Sequence, residues 1–213
     1  MADYPIPEEF EISLNLSEYF AYQDHRDRRL YLNTAIGYST EGLIVISESS
    51  NADEMAQLIL DYNREDKGKP VEERRPIRIY IDSPGGDVTG GFAIIGAIKA
   101  SKTPVYTINV GQWSSMAFLI GICGHRRFSL PSMTFLMHDG DLFTAGSTNK
   151  AQDKMKFNER YENEVIKAHV IEHSNMTPRE YDALSRVEYY MLPEDALEHG
   201  FIDEIVTDID TIL

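Results

Sequence analysis

IRIYI (77–81), DSPGGDV (82–88) and VTGGFAIIGAIKAS (88–101) follow one another without a gap, and how they are read decides the fold. The first is a short apolar run rich in β-branched residues, and the second is a glycine turn. The third repeats apolar residues at helical spacing, with Val88, Phe92 and Ile95 on one face and Ile98 beside them. Another apolar run, PVYTINV (104–110), comes next. Strand, turn, helix and strand in that order outline a right-handed crossover unit.

The pattern recurs on both sides. PVYTINV is expected to break at Gly111, after which GQWSSMAF (111–118) starts a helix with Ser115 on the bend. MTFLM (133–137) ends at His138 and leads through a polar stretch to a long helix, expected from Asn149 to about His173. Upstream, RRLYLN (28–33) and GLIVIS (42–47) read as strands. Asn51 begins a helix reaching about Asn63, with Glu54 placed to close a box-like cap, and REDKGKPVEERRP (64–76) reads as a solvated connector. Downstream, TPRE (177–180) has Thr177 as cap, Pro178 at the first helical position and Glu180 closing the box. A short helix from Pro193 to His199 stops at Gly200, and FIDEIV (201–206) reads as a closing strand. This alternation predicts an α/β fold with chemically active groups at the carboxyl ends of strands.

The first 27 residues are acidic, proline-bearing and aromatic (Tyr4, Phe10, Tyr19, Phe20, Tyr22) without a sustained period, and read as an arm. Residues 28–213 are then expected to form a single domain, for which a chain of 213 residues with 42% hydrophobic content suffices. With 20 basic against 35 acidic residues the net charge is -15, which repels nucleic acid and anionic membrane surfaces. The opening MADYPIPEEFEISL lacks the basic-then-apolar pattern of a secretory signal, and no apolar run approaches the ~20 residues that span a bilayer. A cytoplasmic protein is expected. The single cysteine, Cys123, suits a reducing compartment and reads as a small buried hydrophobe.

Three strand ends therefore carry a hydroxyl (Ser115), an imidazole (His138) and the amides of a glycine turn (82–88). Acyl transfer needs those parts: a nucleophile, a base to take its proton, and donors aimed at the oxyanion. A Ser-Ser pair at a helix start also serves as an N-cap, and Ser114 is given that capping or packing reading. His25, His125 and His199 read as ordinary polar residues. HVIEH (169–173) matches the inverted zinc-peptidase pattern but lies at the end of the long helix with few residues left to supply a third ligand. GGDVTGG (85–91) has neither the lysine and hydroxyl of a P-loop nor GxGxxG spacing.

DSPGGDVTGGFAI, GQWSSMAF, RRFSLPSMTFLMH and LPEDALEHGFIDEI together resemble, in order and spacing, the motifs of the Clp protease proteolytic subunit. The resemblance is good from Ile77 to Val206, weaker from Leu30 to Arg75 and absent from the first 27 residues. It implies the Clp protease/crotonase-like fold of repeated β-β-α units with a protruding long helix. It implies an ATP-dependent serine endopeptidase in which Ser115 is the nucleophile and His138 the general base, with the backbone amides of Gly86 and Met116 forming the oxyanion hole. The family's aspartate falls on Glu188, with Asp182 and Asp203 as competing carboxylates. Asp139 and Gly140 stand where the family has glutamine and proline, and the interval from Ser115 to His138 is slightly shorter. The resemblance further implies stacked seven-membered rings meeting through the long helix, unfolded polypeptide as substrate, a separate AAA+ unfoldase as partner, and no metal or organic cofactor. Two alternatives stay open: a catalytically silent ring subunit, and a crotonase-like enzyme acting on acyl thioesters.

Overall fold

The computed structural model describes residues 23–37, 40–41, 44–45, 51–140 and 146–212. Among the described residues the main sheet has seven strands. Arg29–Leu32 (β1), Ile77–Ser83 (β4), Val105–Ser114 (β5), Arg126–Ser129 (β6) and Glu204–Ile205 (β9) pair in the order β1-β4-β5-β6-β9, all parallel. Thr134–Met137 (β7) also pairs in parallel with β5, beyond the stretch that β6 occupies, and Tyr189–Met191 (β8) runs antiparallel to β7. A separate two-stranded piece joins Thr40–Glu41 (β2) to Ile44–Val45 (β3). The rest of the expected strand 42–47, and the five aromatic residues noted in the arm, lie outside the described residues.

Helices cover the sheet: Asn51–Glu65 (α1), Val88–Ala100 (α2), Met116–Gly121 (α3), Pro178–Leu184 (α6) and Pro193–Glu198 (α7). The long helix runs as Thr148–Tyr161 (α4), a π-helical turn at Glu162–Ile166, and Lys167–Glu172 (α5). The molecule is thus α/β with a mostly parallel sheet, as the alternation of the sequence predicts.

Several expected boundaries shift for local reasons. Gly111 does not break its strand: β5 runs on to Ser114, with a register irregularity opposite Ile81 and Ser83. A Cβ at Gly111 would sit 2.2 Å from Asp82 Oδ1, and that carboxylate accepts from Gln112 N at 3.1 Å. Glycine therefore lets the strand carry the neighbouring side chain across its backbone. The connector 64–76 is not wholly solvated, because Asp66 is buried and accepts from Arg28 Nη1 at 2.6 Å, Lys69 Nζ at 2.8 Å and Thr103 Oγ1 at 3.0 Å. Asn51 is taken up by the preceding loop, its Nδ2 donating to Ala35 O at 2.8 Å and its Oδ1 accepting from Gly37 N at 3.1 Å. In FIDEIV only Glu204 and Ile205 join the ladder, while Phe201 and Ile202 bury their side chains. Thr177 forms the expected capping box with Glu180.

The core lies between sheet and helices, around Ile59, Ile79, Ile81, Ile94, Ile98, Trp113, Phe118, Phe135 and Phe201, all fully buried. Each such side chain contributes about 1.5–3 kcal/mol. On α2 the buried stripe is Gly91, Ile94, Ile95, Ala97 and Ile98, whereas Val88 is exposed and Phe92 half-buried. The expected face of Val88, Phe92 and Ile95 is therefore rotated, and Val88 borders the site described next.

Candidate active site

Ser115 forms the one-residue hinge between β5 and α3, at φ 55° and ψ −122°. That is a sparsely populated region for a residue with a side chain, and holding it costs about 1–3 kcal/mol. The surroundings fix it. Ser115 N donates to Leu136 O of β7 at 2.9 Å, and its carbonyl accepts from Phe118 N at 3.0 Å. Gly85 (φ +93°) presses against the same hinge, and a Cβ there would lie 2.8 Å from Ser115 Cβ and 2.7 Å from Ser114 O. Glycine at 85 is thus required twice, for its φ and for the approach of the turn. Ser114 is buried, and its hydroxyl donates to Gln112 Oε1 at 3.1 Å, in keeping with a packing role.

His138 follows β7 directly. Its partner is set by strand register: β7 and β8 pair Met137 with Tyr189, so the next cross-strand pair is His138 with Glu188. His138 Nδ1 lies 3.0 Å from Glu188 Oε1, and Tyr190 Oη donates to Glu188 Oε2 at 3.0 Å. A carboxylate only accepts, so Nδ1 carries the imidazole proton and Nε2 presents a lone pair. That Nε2 is buried without a hydrogen-bond partner among the described residues. The competing carboxylates are engaged elsewhere: Asp182 by Lys167 Nζ at 2.5 Å, and Asp203 by Arg127 Nη2 at 2.5 Å.

Ser115 and His138 line one small cavity of about 40 Å³, together with Met116, Met137, Glu162 and Tyr181 among others. The serine hydroxyl has no hydrogen bond among the described residues, so nucleophile and base candidates share the cavity without a hydrogen bond between them. Hydrogen bonds of this kind commonly tighten only when substrate is bound. The N–H groups of Gly86 and Met116 likewise have no acceptor among the described residues. Gly86 sits at φ +143° with its peptide held by a bridge to Ile36, and a Cβ would meet Ile36 O at 2.3 Å. The Gly85–Gly86 turn and the start of α3 abut, since a Cβ on Gly85 would lie 2.8 Å from Met116 N.

Other candidates resolve into packing. His169 Nε2 lies 2.8 Å from Leu119 O, which makes it the N–H of that ring, and burial lowers the group to about 4. His173 Nδ1 lies 2.8 Å from His169 O, and Glu172 pairs with Lys99 Nζ at 2.5 Å. The donor atoms of His169, Glu172 and His173 lie within 4.8 Å of one another, so any cation there would compete with the Lys99 ammonium. Cys123 is buried and desolvation pushes its thiol up to about 12. His25 meets Tyr62 Oη at 3.0 Å, His125 Nδ1 accepts from Val105 N at 2.8 Å, and His199 Nε2 lies 2.8 Å from Tyr189 Oη. No sequence pattern points to Tyr190, Glu162 or Tyr181, which reach the site through cross-strand and helix-to-helix contacts that carry no local motif.

The model of the Clp protease family matches residues 33–208. This chain belongs to the Clp protease family. The protein is accordingly a peptidase of the Clp type, and the matched span includes the strands, the glycine turn and the hinge that frame the cavity. Among the described residues no helix is long and apolar enough to cross a membrane.

Proposed function

We propose that this Clp-type peptidase is a serine endopeptidase whose nucleophile is Ser115. His138 Nε2 takes the hydroxyl proton as Oγ attacks the peptide carbonyl carbon. Glu188 holds the imidazole in the required tautomer and stabilises the imidazolium. The amides of Gly86 and Met116 receive the oxyanion, each such donor being worth on the order of 3 kcal/mol. The imidazolium returns its proton to the leaving amine, and a water, activated by the same nitrogen, hydrolyses the acyl-enzyme. The single observation that carries this reading is the orphaned Nε2 of His138: the other ring nitrogen is fixed by Glu188, Nε2 is buried without a partner among the described residues, and the ring lines the same cavity as Ser115.

The same reading includes assembly. Met155 stands exposed on α4, at 55% accessibility. Apolar groups so placed on a projecting helix favour contact with another copy. We take the active form to be two stacked seven-membered rings in the cytoplasm, acting on unfolded polypeptide delivered by an AAA+ unfoldase, with residues 1–27 as an arm appended to the domain 28–213.

One preparation tests both parts. Native mass spectrometry is expected to show particles of fourteen 24.2 kDa chains, and a fluorophosphonate is expected to label Ser115 in the wild type but not in Ser115→Ala. Labelling absent from an assembled particle would favour a silent ring subunit, and binding of coenzyme A thioesters without labelling would favour the crotonase-like reading.

A further inference from the structure

The small cavity at Ser115 and His138 shares four wall residues, Val88, Gly140, Glu162 and Ile166, with a second cavity of about 620 Å³. The first holds little more than a water molecule, whereas the second has the size of a ligand site. Its wall is of two kinds. Phe92, Tyr161 and Phe157 form an aromatic side, Phe92 and Tyr161 packing edge to face at 5.5 Å. Asp139, Glu159 and Glu162 supply carboxylates, and no lysine, arginine or histidine is among the lining residues. Nor does the sequence outside the described residues contain any of those three types.

Glu162 stands at the junction of the two cavities. It opens the π-helical turn, half-buried, and such turns within α-helices recur at functional sites. The hydroxyl of Tyr181, itself buried, donates to Glu162 Oε1 and fixes the carboxylate. Glu162 has no cationic partner among the described residues. The basic residues nearest to it in sequence are engaged, Lys167 by Asp182 and Arg160 by Glu164. Burial and the carboxylates of Glu162, Asp182 and Asp139 together raise the Tyr181 phenol far above its ordinary value, a sign of the negative field there. A held carboxylate without a cationic partner, in the wall of a cavity that is otherwise partly aromatic, is complementary to one kind of side chain: a long apolar stem with a cation at its tip.

We propose that this cavity is the pocket for a lysine or arginine side chain of the substrate, adjoining the bond that Ser115 cleaves, and that Glu162, positioned by Tyr181, determines that preference. The inference rests on Ser115 being the nucleophile, and the test separates the two. Three peptidyl diphenyl phosphonates, identical except for a lysine, norleucine or glutamate side chain beside the phosphorus, are compared by their rates of labelling Ser115, with a simple fluorophosphonate as reference. The lysine probe is expected to react about tenfold faster than the norleucine probe, and the glutamate probe slowest. In Glu162→Gln the lysine-to-norleucine ratio falls by about tenfold, while Glu162→Asp keeps most of it. A norleucine rate equal to or above the lysine rate in the wild type overturns the pocket assignment even if no variant folds. So does a ratio unchanged in Glu162→Gln, while labelled Ser115 leaves the peptidase reading standing. Failure of the fluorophosphonate itself to label Ser115 overturns both.

Discussion

A serine held at φ 55° stores conformational energy that a relaxed residue would release, and the hinge keeps it there with hydrogen bonds to β7 and α3 and with Gly85 packed beneath. The reactive geometry is therefore a property of the backbone before it is a property of the hydroxyl. The imidazole is organised differently, by one carboxylate that is itself held by Tyr190. Glu188→Gln offers Nδ1 an amide that can donate, which inverts the tautomer and moves the proton onto Nε2. It should lower kcat/KM on a fluorogenic peptide by about 10²-fold. The loss is expected to be smaller than the ~10⁴ found where the acid is deeply buried, because Glu188 is 55% exposed. Tyr190→Phe should lower it by about threefold. Wild-type rates in Glu188→Gln would remove Glu188 from the mechanism.

At the scale of elements, β7 and β8 bring His138 and Glu188, the proposed base and its carboxylate, together, and the hinge of β5 into α3 presents Ser115. The sequence shows the strand ends plainly, since apolar runs stopping at glycine or at a histidine are local patterns. Glu188 is legible only from family spacing, whereas in the structure the antiparallel register of β7 with β8 demands it, and register is a long-range property no short window contains. Gly111 misled for the opposite reason: a glycine in a strand reads as a break until the side chain that fills its missing Cβ is seen. The rotated face of α2 has a similar cause, because Val88 borders a cavity and Phe92 lies between that cavity and the edge of the core.

The helix pair α5 and α3 supplies a pH test. His169, buried and bonded to Leu119 O behind the hinge, faces His173, Lys99 and Glu172, and stays neutral in the fold down to about 4. The unfolded chain takes up that proton near pH 6.5. Lowering the pH from about 6.5 towards 4 therefore protonates the unfolded state first and removes stability, by about 3 kcal/mol over that window. Above pH 6.5 the term is constant. Urea unfolding as a function of pH should show this loss in the wild type and a flatter profile in His169→Gln, whose amide can still donate to Leu119 O. Equal slopes in the two proteins would place the titration elsewhere.

The whole molecule sets what no element does alone. The parallel order β1-β4-β5 and the placement of β7 beyond β6 along the same long strand put the glycine turn, the hinge and His138 at one end of the sheet. At the opposite end of β1, the buried Arg28–Asp66 pair ties the start of the sheet to the end of α1. The central claim is that segments from three strands, far apart in sequence, converge on one carbonyl. A peptidyl chloromethyl ketone tests it directly, since such a reagent alkylates a base nitrogen with loss of chloride while its carbonyl carbon takes the nucleophile's oxygen. In a crystal structure of the treated protein we expect continuous density from Ser115 Oγ to that carbon and from His138 Nε2 to the methylene, with the new oxygen about 2.7–3.1 Å from the amides of Gly86 and Met116. An adduct on His138 alone, on Ser114, or with its oxygen turned away from both amides would contradict the account.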